Sequence, residues 1–309
     1  MAEKPRVLLL GSTGQVGREL QTCFADFGEL TCADRGAADL SRPEEVRNLV
    51  RRMAPQVILN AAAYTAVDRA ESEPALAMTI NGDAPRVLAE EALRAGALLV
   101  HYSTDYVFDG SKQEPWTETD LPHPLNQYGA GKLAGERAIL SSGCKHLVFR
   151  TSWVYGPHGQ NFLFTMLRLA RERDRLTIVN DQFGAPTSSI EIAAATRKIV
   201  AGVLEGRFGE EKNWAGIYHM TCADSTTWYG FAQAIFARAG DLLGGKTPEL
   251  SPIASSEYPT PARRPRNSVL SNERLHEKFG VRLASWQSAL DAVVGILKSE
   301  IGGSRPAGK

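Results

Sequence analysis

Short apolar runs alternate with segments of helical period along the first 150 residues. Arg6-Val7-Leu8-Leu9-Leu10 is one such run, and it ends at Gly11. A helical pattern follows from Gln15 to about Phe27, then a second strand centred on Leu30-Thr31-Cys32-Ala33. Ser41-Arg42-Pro43-Glu44 predicts a helix start, with Ser41 as N-cap, an early proline and an acid in the first turn. Gln56–Asn60 reads as a third strand, Ala84–Ala95 as a helix stopped by Gly96, and Ala97–Tyr102 as a fourth strand. Tyr128–Leu140 is a helix, and His146–Arg150 a fifth strand. Strands that are apolar throughout are buried on both faces. Separated by helices, they predict a Rossmann-type α/β fold, a doubly wound parallel sheet.

Beyond residue 150 the rhythm loosens. Asn161–Arg173 predicts a helix, Leu176–Val179 a sixth strand and Ile190–Leu204 another helix. Glu205–Lys212 and Gly240–Lys246 read as surface loops, and the prolines of Tyr258–Arg266 make that stretch extended and irregular. The expected organisation is a dinucleotide-binding domain over 1–150 and a smaller, mainly substrate-binding α/β part over 151–301. Some elements of the second part are free to return to the first domain. A flexible tail is expected over 302–309.

Composition removes other classes. In 309 residues, 43% are hydrophobic and 23% charged, the balance of an ordinary globular protein. Lys+Arg and Asp+Glu both number 35, which leaves no basic excess for nucleic acid. The apolar runs are all shorter than the ~18–20 residues of a membrane span. The N-terminus enters the first strand almost at once, with no room for a signal peptide, so a cytoplasmic protein is expected. Cys23, Cys32, Cys144 and Cys222 are scattered, without metal-ligand spacing, and are expected to be reduced thiols.

Gly11-Ser12-Thr13-Gly14-Gln15-Val16-Gly17 lies between the first strand and the first helix. Glycines there permit a tight turn and a close approach to a pyrophosphate, and the helix N-terminus offers free N–H groups. Asp34 follows the second strand, where an acid would bind the adenosine ribose 2′-hydroxyl. Adjacent Arg35 could accommodate a 2′-phosphate, so NADH and NADPH both stay open. Asp39 and Leu40 fall beside the expected adenine. Tyr128 and Lys132 stand four apart at a helix start and share a face. Reducing a ketone by hydride leaves an alkoxide that needs a proton. A neighbouring ammonium lowers a tyrosine pKa toward that task, and the same lysine can hydrogen-bond the nicotinamide ribose. Thr104, at the end of the fourth strand, can polarise the carbonyl. Asp105 can tune Thr104 or bind sugar hydroxyls.

Together these residues resemble the extended short-chain dehydrogenase/reductase superfamily. Longer blocks are similar to the dTDP-4-dehydrorhamnose reductases within it. They are Asn60–Glu71, His101–Phe108, Arg150–Tyr155, Asn180–Thr187 and Tyr258–Pro265. The resemblance implies NADPH- or NADH-dependent reduction of the 4-keto group of dTDP-4-dehydro-6-deoxy-L-mannose to dTDP-L-rhamnose, within dTDP-rhamnose biosynthesis. It implies Tyr128 as proton donor, Lys132 as its activator and Thr104 as carbonyl partner. It matches cofactor contacts to Gly14, Gln15, Val16, Asp34, Asp39, Leu40, Ala63, Tyr64 and Thr65, and sugar-nucleotide contacts to Thr104, Asp105 and Trp153. Thr104 stands where the superfamily usually has serine, and Tyr64 where the family block has histidine. In some members, acids matching Glu19 and Glu191 hold a structural Mg²⁺ at a homodimer contact, although two acids so far apart do not alone define a site. Two alternatives remain. One is an NDP-sugar epimerase or dehydratase of the same superfamily, although Asp105-Tyr106 lacks the acid a dehydratase carries after Asp. The other is a non-catalytic regulatory subunit, which often loses the Tyr or Lys present here.

Overall fold

The computed structural model describes residues 4–303. Five strands follow the expected rhythm: β1 (Arg6–Leu10), β2 (Glu29–Ala33), β3 (Val57–Asn60), β4 (Leu98–Thr104) and β5 (Lys145–Thr151). The helices between them are α1 (Gln15–Phe24), α2 (Pro43–Met53), α3 (Ala84–Ala95) and α4 (Gln127–Ser141). Next come α5 (Phe162–Glu172), β6 (Arg175–Val179), α6 (Ser189–Leu204), β7 (Gly216–His219), α7 (Trp228–Ala239), β8 (Glu249–Ile253) and α8 (Trp286–Gly303).

The main sheet has the order β7-β5-β4-β3-β1-β2, and every pair in it is parallel. Chain direction across the sheet reverses between β1 and β3. That switch point opens a crevice at the carboxyl ends of the strands. The period of two along each strand sends alternate residues to opposite layers. Val7, Leu9, Val57, Leu59 and Val100 pack with residues of α1, α5, α6, α7 and α8. Leu8, Leu10, Ile58, Leu99 and Val148 pack with α2, α3 and Ile139 of α4.

Three expectations need correction. The strand expected at Leu176–Val179 forms, but it pairs with β8 in a separate two-stranded sheet. The sixth strand of the main sheet is β7, in a stretch too short and too mixed in polarity to stand out in the sequence. Ser41 is not the cap of α2: Arg42 holds that position without a side-chain cap, and the Ser41 N–H donates to Asp39. Gly302 and Gly303 belong to α8 rather than to a tail, and 304–309 lie outside the described residues.

One ion pair ties α4 to the sheet. Arg150 of β5 donates from Nε (2.9 Å) and Nη2 (2.7 Å) to the two carboxylate oxygens of Glu136 on α4. Both side chains are almost wholly buried, and the guanidinium lies over the Phe108 ring. Removing one partner of a buried pair leaves an uncompensated charge. Glu136→Gln should therefore lower the unfolding free energy by about 3–5 kcal/mol. The check is the urea midpoint at unchanged slope. The double change Glu136→Leu with Arg150→Met should recover most of the loss, and a Glu136→Gln midpoint equal to the parent's would refute the argument.

Candidate active site

The loop between β1 and α1 is shaped by three glycines, two of which the packing strictly requires. Gly11 has a left-handed backbone (φ 74°), and a Cβ there would lie 2.6 Å from the Ala62 N. A Cβ on Gly17 would lie 2.1 Å from the Gly11 carbonyl oxygen. Gly14 meets nothing closer than 3.3 Å and caps α1 without a side chain. The first N–H groups of α1 therefore carry no side-chain cap at the switch point. That is the donor set a dinucleotide pyrophosphate requires, so the loop fits such a cofactor.

Flanking positions divide by side chain. The Asp34 carboxylate accepts from the N–H groups of Gly36 and Ala37 in its own turn. Arg35 donates to Asp39 at 3.2 Å. Leu40 is buried in the core beneath α2, and Val16 packs on the opposite core. After β3, the backbone of Tyr64 is clamped by Asn81, which accepts from its N–H and donates to its carbonyl, both at 2.9 Å. The Tyr64 hydroxyl donates to Glu73 at 2.6 Å. Ala63 and Thr65 flank it on the same loop. Gln15 is joined to the second half of the chain through Asn161, whose Nδ2 donates to Gln15 Oε1.

At the carboxyl end of β4 the expected catalytic side chains converge. Asn126 caps α4, accepting from the Gly129 N–H and donating to the Arg263 carbonyl, both at 2.8 Å. This fixes the first turn that carries Tyr128. The Tyr128 hydroxyl lies beside the Thr104 side chain. The Thr104 hydroxyl donates to Asp105 Oδ1 at 2.8 Å and accepts from the Tyr106 N–H. Ser152 and Ser268 add hydrogen bonds to the same carboxyl. Asp105 is buried, and burial pushes its carboxyl up to about 6 against those bonds.

Lys132 is buried on the same helix face. Its Nζ donates to the Tyr102 carbonyl at 2.6 Å and lies 3.2 Å from His101 Nε2. Burial brings the ammonium down to about 8, opposed by Glu136 one turn on. Burial also raises the Tyr128 phenol, and the Thr104 hydroxyl opposes that shift. The sequence led us to expect an ammonium pulling the phenol down. Instead Lys132 is turned inward to β4, and Tyr128 is held in its protonated form.

Sequence reasoning missed His101, although it opens the reductase-like block His101–Phe108. Its Nδ1 lies 3.0 Å from Asn60 Nδ2, and burial drives its pKa well below the usual value. Trp228, which carried no motif, was also missed. It stacks on Trp153. A cleft of about 430 Å³ is lined by Ser111, Lys112, Gln113, Phe183, Arg266 and Asn267. Its size suits a small-molecule ligand. Of the three arginines of the Pro-rich segment, Arg266 lines this cleft. Arg264 is committed to Asp68 at 2.9 Å, and Arg263 is exposed.

Glu19 and Glu191 lie on the packed helices α1 and α6. A Glu191 oxygen accepts from the Ala284 N–H, and Glu19 is raised by burial. Among the described residues, no group of three or more His, Cys, Asp or Glu side chains could hold a metal ion. No helix among those residues is long and apolar enough to cross a membrane.

A parallel sheet with an uncapped glycine loop at its switch point, and Thr, Tyr and Lys gathered at one carboxyl edge, is the frame of a nicotinamide-dependent reductase. Within that class the chain belongs to the family described as the RmlD substrate binding domain, which it matches over residues 5–299. It is 49% identical to a dTDP-4-dehydrorhamnose reductase of Burkholderia thailandensis, across 96% of this chain and 100% of that protein. A reductase of the same name from Escherichia coli is 46% identical, across 91% and 94%. The crystal structure of dTDP-4-dehydrorhamnose reductase from Bacillus anthracis in complex with NADP superposes with a TM-score of 0.85 at 33% identity, covering 94% and 98%. A UDP-glucose 4-epimerase of Thermus thermophilus, 22% identical with a TM-score of 0.76, shares the fold.

Asp105 gives the site a measurable signature. Its carboxyl stands near 6 in the fold against an ordinary 3.8. Between those values the folded chain holds a proton that the unfolded chain has lost, so this group's contribution to stability falls as pH rises through that window. Asp105→Asn abolishes the effect. At pH 8 it should be more stable than the parent by up to about 3 kcal/mol, a gain that shrinks toward pH 4. Urea midpoints at the two pH values check this, and a difference that does not grow with pH would sink the assignment.

Proposed function

We propose that this chain reduces the 4-keto group of dTDP-4-dehydro-6-deoxy-L-mannose to give dTDP-L-rhamnose, with NADPH or NADH. The observation that carries the reading is the placing of Tyr128 beside Thr104 at the carboxyl edge of the sheet. It is supported by relatives bearing that activity in their names over nearly the whole chain. Residues 1–150 are read as the cofactor half, and 151–301 as mainly the substrate half.

The dinucleotide supplies a hydride to C4. Gly14, Gln15 and the uncapped start of α1 hold its pyrophosphate, and Asp34 with Arg35 lies toward the adenosine ribose. Ala63, Tyr64 and Thr65, clamped by Asn81, form the far wall of that groove. Tyr128 is protonated, and its hydroxyl is the acid that meets the oxygen developing charge at C4. Thr104 stands beside that hydroxyl, and the Asp105 carboxyl accepts the Thr104 hydrogen bond and orients it. Lys132 offers its remaining Nζ protons to the nicotinamide ribose. The cleft lined by Arg266 and Lys112 takes the nucleotide diphosphate, and Trp153 lies against the hexose. An epimerase would keep its dinucleotide bound through turnover, and a dehydratase would need a further acid after Asp105, where Tyr106 stands.

The same reading places the enzyme in the cytoplasm, consistent with four cysteines that are all free thiols. Through the family resemblance, it also includes pairing of two copies.

Two variants test it with NADPH, NADH and the keto sugar nucleotide. Tyr128→Phe should lower kcat roughly 10²–10⁴-fold, the worth of general acid catalysis, and leave cofactor affinity unchanged. Near-normal turnover excludes Tyr128 as the acid. Arg266→Ala should raise KM for the sugar nucleotide about tenfold and leave that for NADPH unmoved, since one charge-assisted bond is worth ~1.5–3 kcal/mol. Equal weakening of both ligands would contradict the assignment of the cleft.

A further inference from the structure

His101 is wholly buried on β4, and the proposed reaction leaves it unused. Its two ring nitrogens face different partners. Nδ1 lies 3.0 Å from Asn60 Nδ2, and Nε2 lies 3.2 Å from Lys132 Nζ. Asn60 ends β3 and is the register partner of His101 across the sheet. Its amide has a fixed sense. The Ala62 N–H can only donate, and Asn60 Oδ1 accepts from it at 3.3 Å. Asn60 Nδ2 therefore faces His101, and it too can only donate. Nδ1 must accept. A neutral imidazole that accepts at Nδ1 carries its proton at Nε2. Burial keeps the ring neutral, since it drives the pKa well below the usual value. The Nε2–H is thus aimed at Lys132 Nζ. That nitrogen also donates to the Tyr102 carbonyl at 2.6 Å. A lysine nitrogen accepts a hydrogen bond only through a lone pair, which an ammonium lacks. The row from Ala62 through Asn60 and His101 to Lys132 runs one way, and it is satisfied throughout when Lys132 is an amine.

We propose that Asn60 and His101 are positioning residues for Lys132: aligned by Asn60, the His101 Nε2–H donates to Nζ, which fixes the direction of the amine and holds it uncharged in the chain without dinucleotide. The inference rests on the proposed function for the dinucleotide that Lys132 meets. Burial already brings the ammonium down to about 8, and the donated hydrogen bond acts in the same direction. Glu136, one turn on along α4, favours the ammonium, but both its oxygens are taken by Arg150 of β5. Tyr128, one turn earlier, is protonated. The acids of the segments packed along the rest of α4 have other partners. Asp105 accepts from Thr104 and Glu71 from the Gln127 N–H, while Asp68 pairs with Arg264, Glu73 with Arg69, Asp83 with Arg86, and Glu90 and Glu91 with Arg47. An amine held by two fixed partners presents its remaining N–H to a ribose hydroxyl without first rearranging, and that preorganisation favours binding. It also withdraws the cation that would pull Tyr128 toward tyrosinate.

The test uses the full-length chain, free of dinucleotide, and the variants Asn60→Asp and His101→Gln, with Lys132→Met to assign the lysine signal. Nitrogen NMR of the parent should show the His101 proton at Nε2, and Lys132 should lose its ammonium signal at or below about pH 8. In Asn60→Asp the carboxylate accepts where the amide donated. The His101 proton should move to Nδ1, Nε2 should accept from Lys132, and the lysine should hold its ammonium to a pH higher by roughly one unit or more. The added charge alone would raise that pH without moving the His101 proton, so the two readings together isolate the row. His101→Gln removes both ring nitrogens. Calorimetric titration with NADPH should weaken in it roughly threefold to tenfold, the worth of one hydrogen bond, and titration with dTDP-L-rhamnose should stay unchanged. A His101 proton at Nδ1 in the parent, or a Lys132 ammonium that persists well above pH 8 there, overturns the proposal. So does an Asn60→Asp chain in which neither signal moves. Unchanged NADPH affinity in His101→Gln, or a matching loss for dTDP-L-rhamnose, overturns the positioning role. The tautomer is read on the parent alone, so it decides even where a variant fails to fold. A parent that shows the expected tautomer and does not bind NADPH overturns the proposed function instead, and the state of Lys132 still stands.

Discussion

The buried pair between Glu136 and Arg150 is the constraint on which the site depends. Desolvating two charges is costly, and only good geometry with further contacts compensates it. Here the carboxylate accepts two hydrogen bonds, and the guanidinium lies over Phe108, which stacks on Trp116 at 4.4 Å. The pair fixes both the rotation and the height of α4 against β5. Lys132 and Tyr128 stand one and two turns earlier on that helix, so their positions follow. Glu136 is also the charge that offsets burial at Lys132. One interaction therefore sets geometry and protonation together.

Burial moves the site's ionisable groups in a consistent direction. Asp105 shifts toward its acid form, Lys132 and His101 toward their neutral forms, and Tyr128 away from tyrosinate. Every shift disfavours charge, as expected where water is excluded. In such surroundings a charge that develops on a substrate oxygen interacts strongly with few fixed donors.

The first half of the fold was legible because continuous apolar strands and α-helical periods follow each other at close range. The glycine loop and the Tyr128/Lys132 spacing were legible for the same reason, since each is a local pattern. The orientation of Lys132 was not, because it depends on His101 and the Tyr102 carbonyl, about thirty residues away. β7 was missed as a sheet member: its partner is β5, and its four residues carry little signal. Trp228 carries no motif, and only the fold brings it to Trp153. Ser41 misled because serine before an early proline is a common cap, yet the helix starts one residue later, with Arg42 at the cap position.

The segment after β4 is sewn to the C-terminal part of the chain. The Trp116 indole donates to the Asn267 carbonyl across 151 positions of sequence, and the Asn267 amide donates in turn to the carbonyls of Lys112, Gln113 and Glu114. Ser268, next along, reaches Asp105. Closing so long a loop must precede any reward from these contacts, and such closures slow folding. During synthesis, the sheet from β1 to β5 leaves the ribosome well before residue 267. For that interval the nascent chain carries the glycine loop and the Tyr–Lys helix without the strap that completes their surroundings. The surroundings of the catalytic corner are thus complete only once residue 268 has been made.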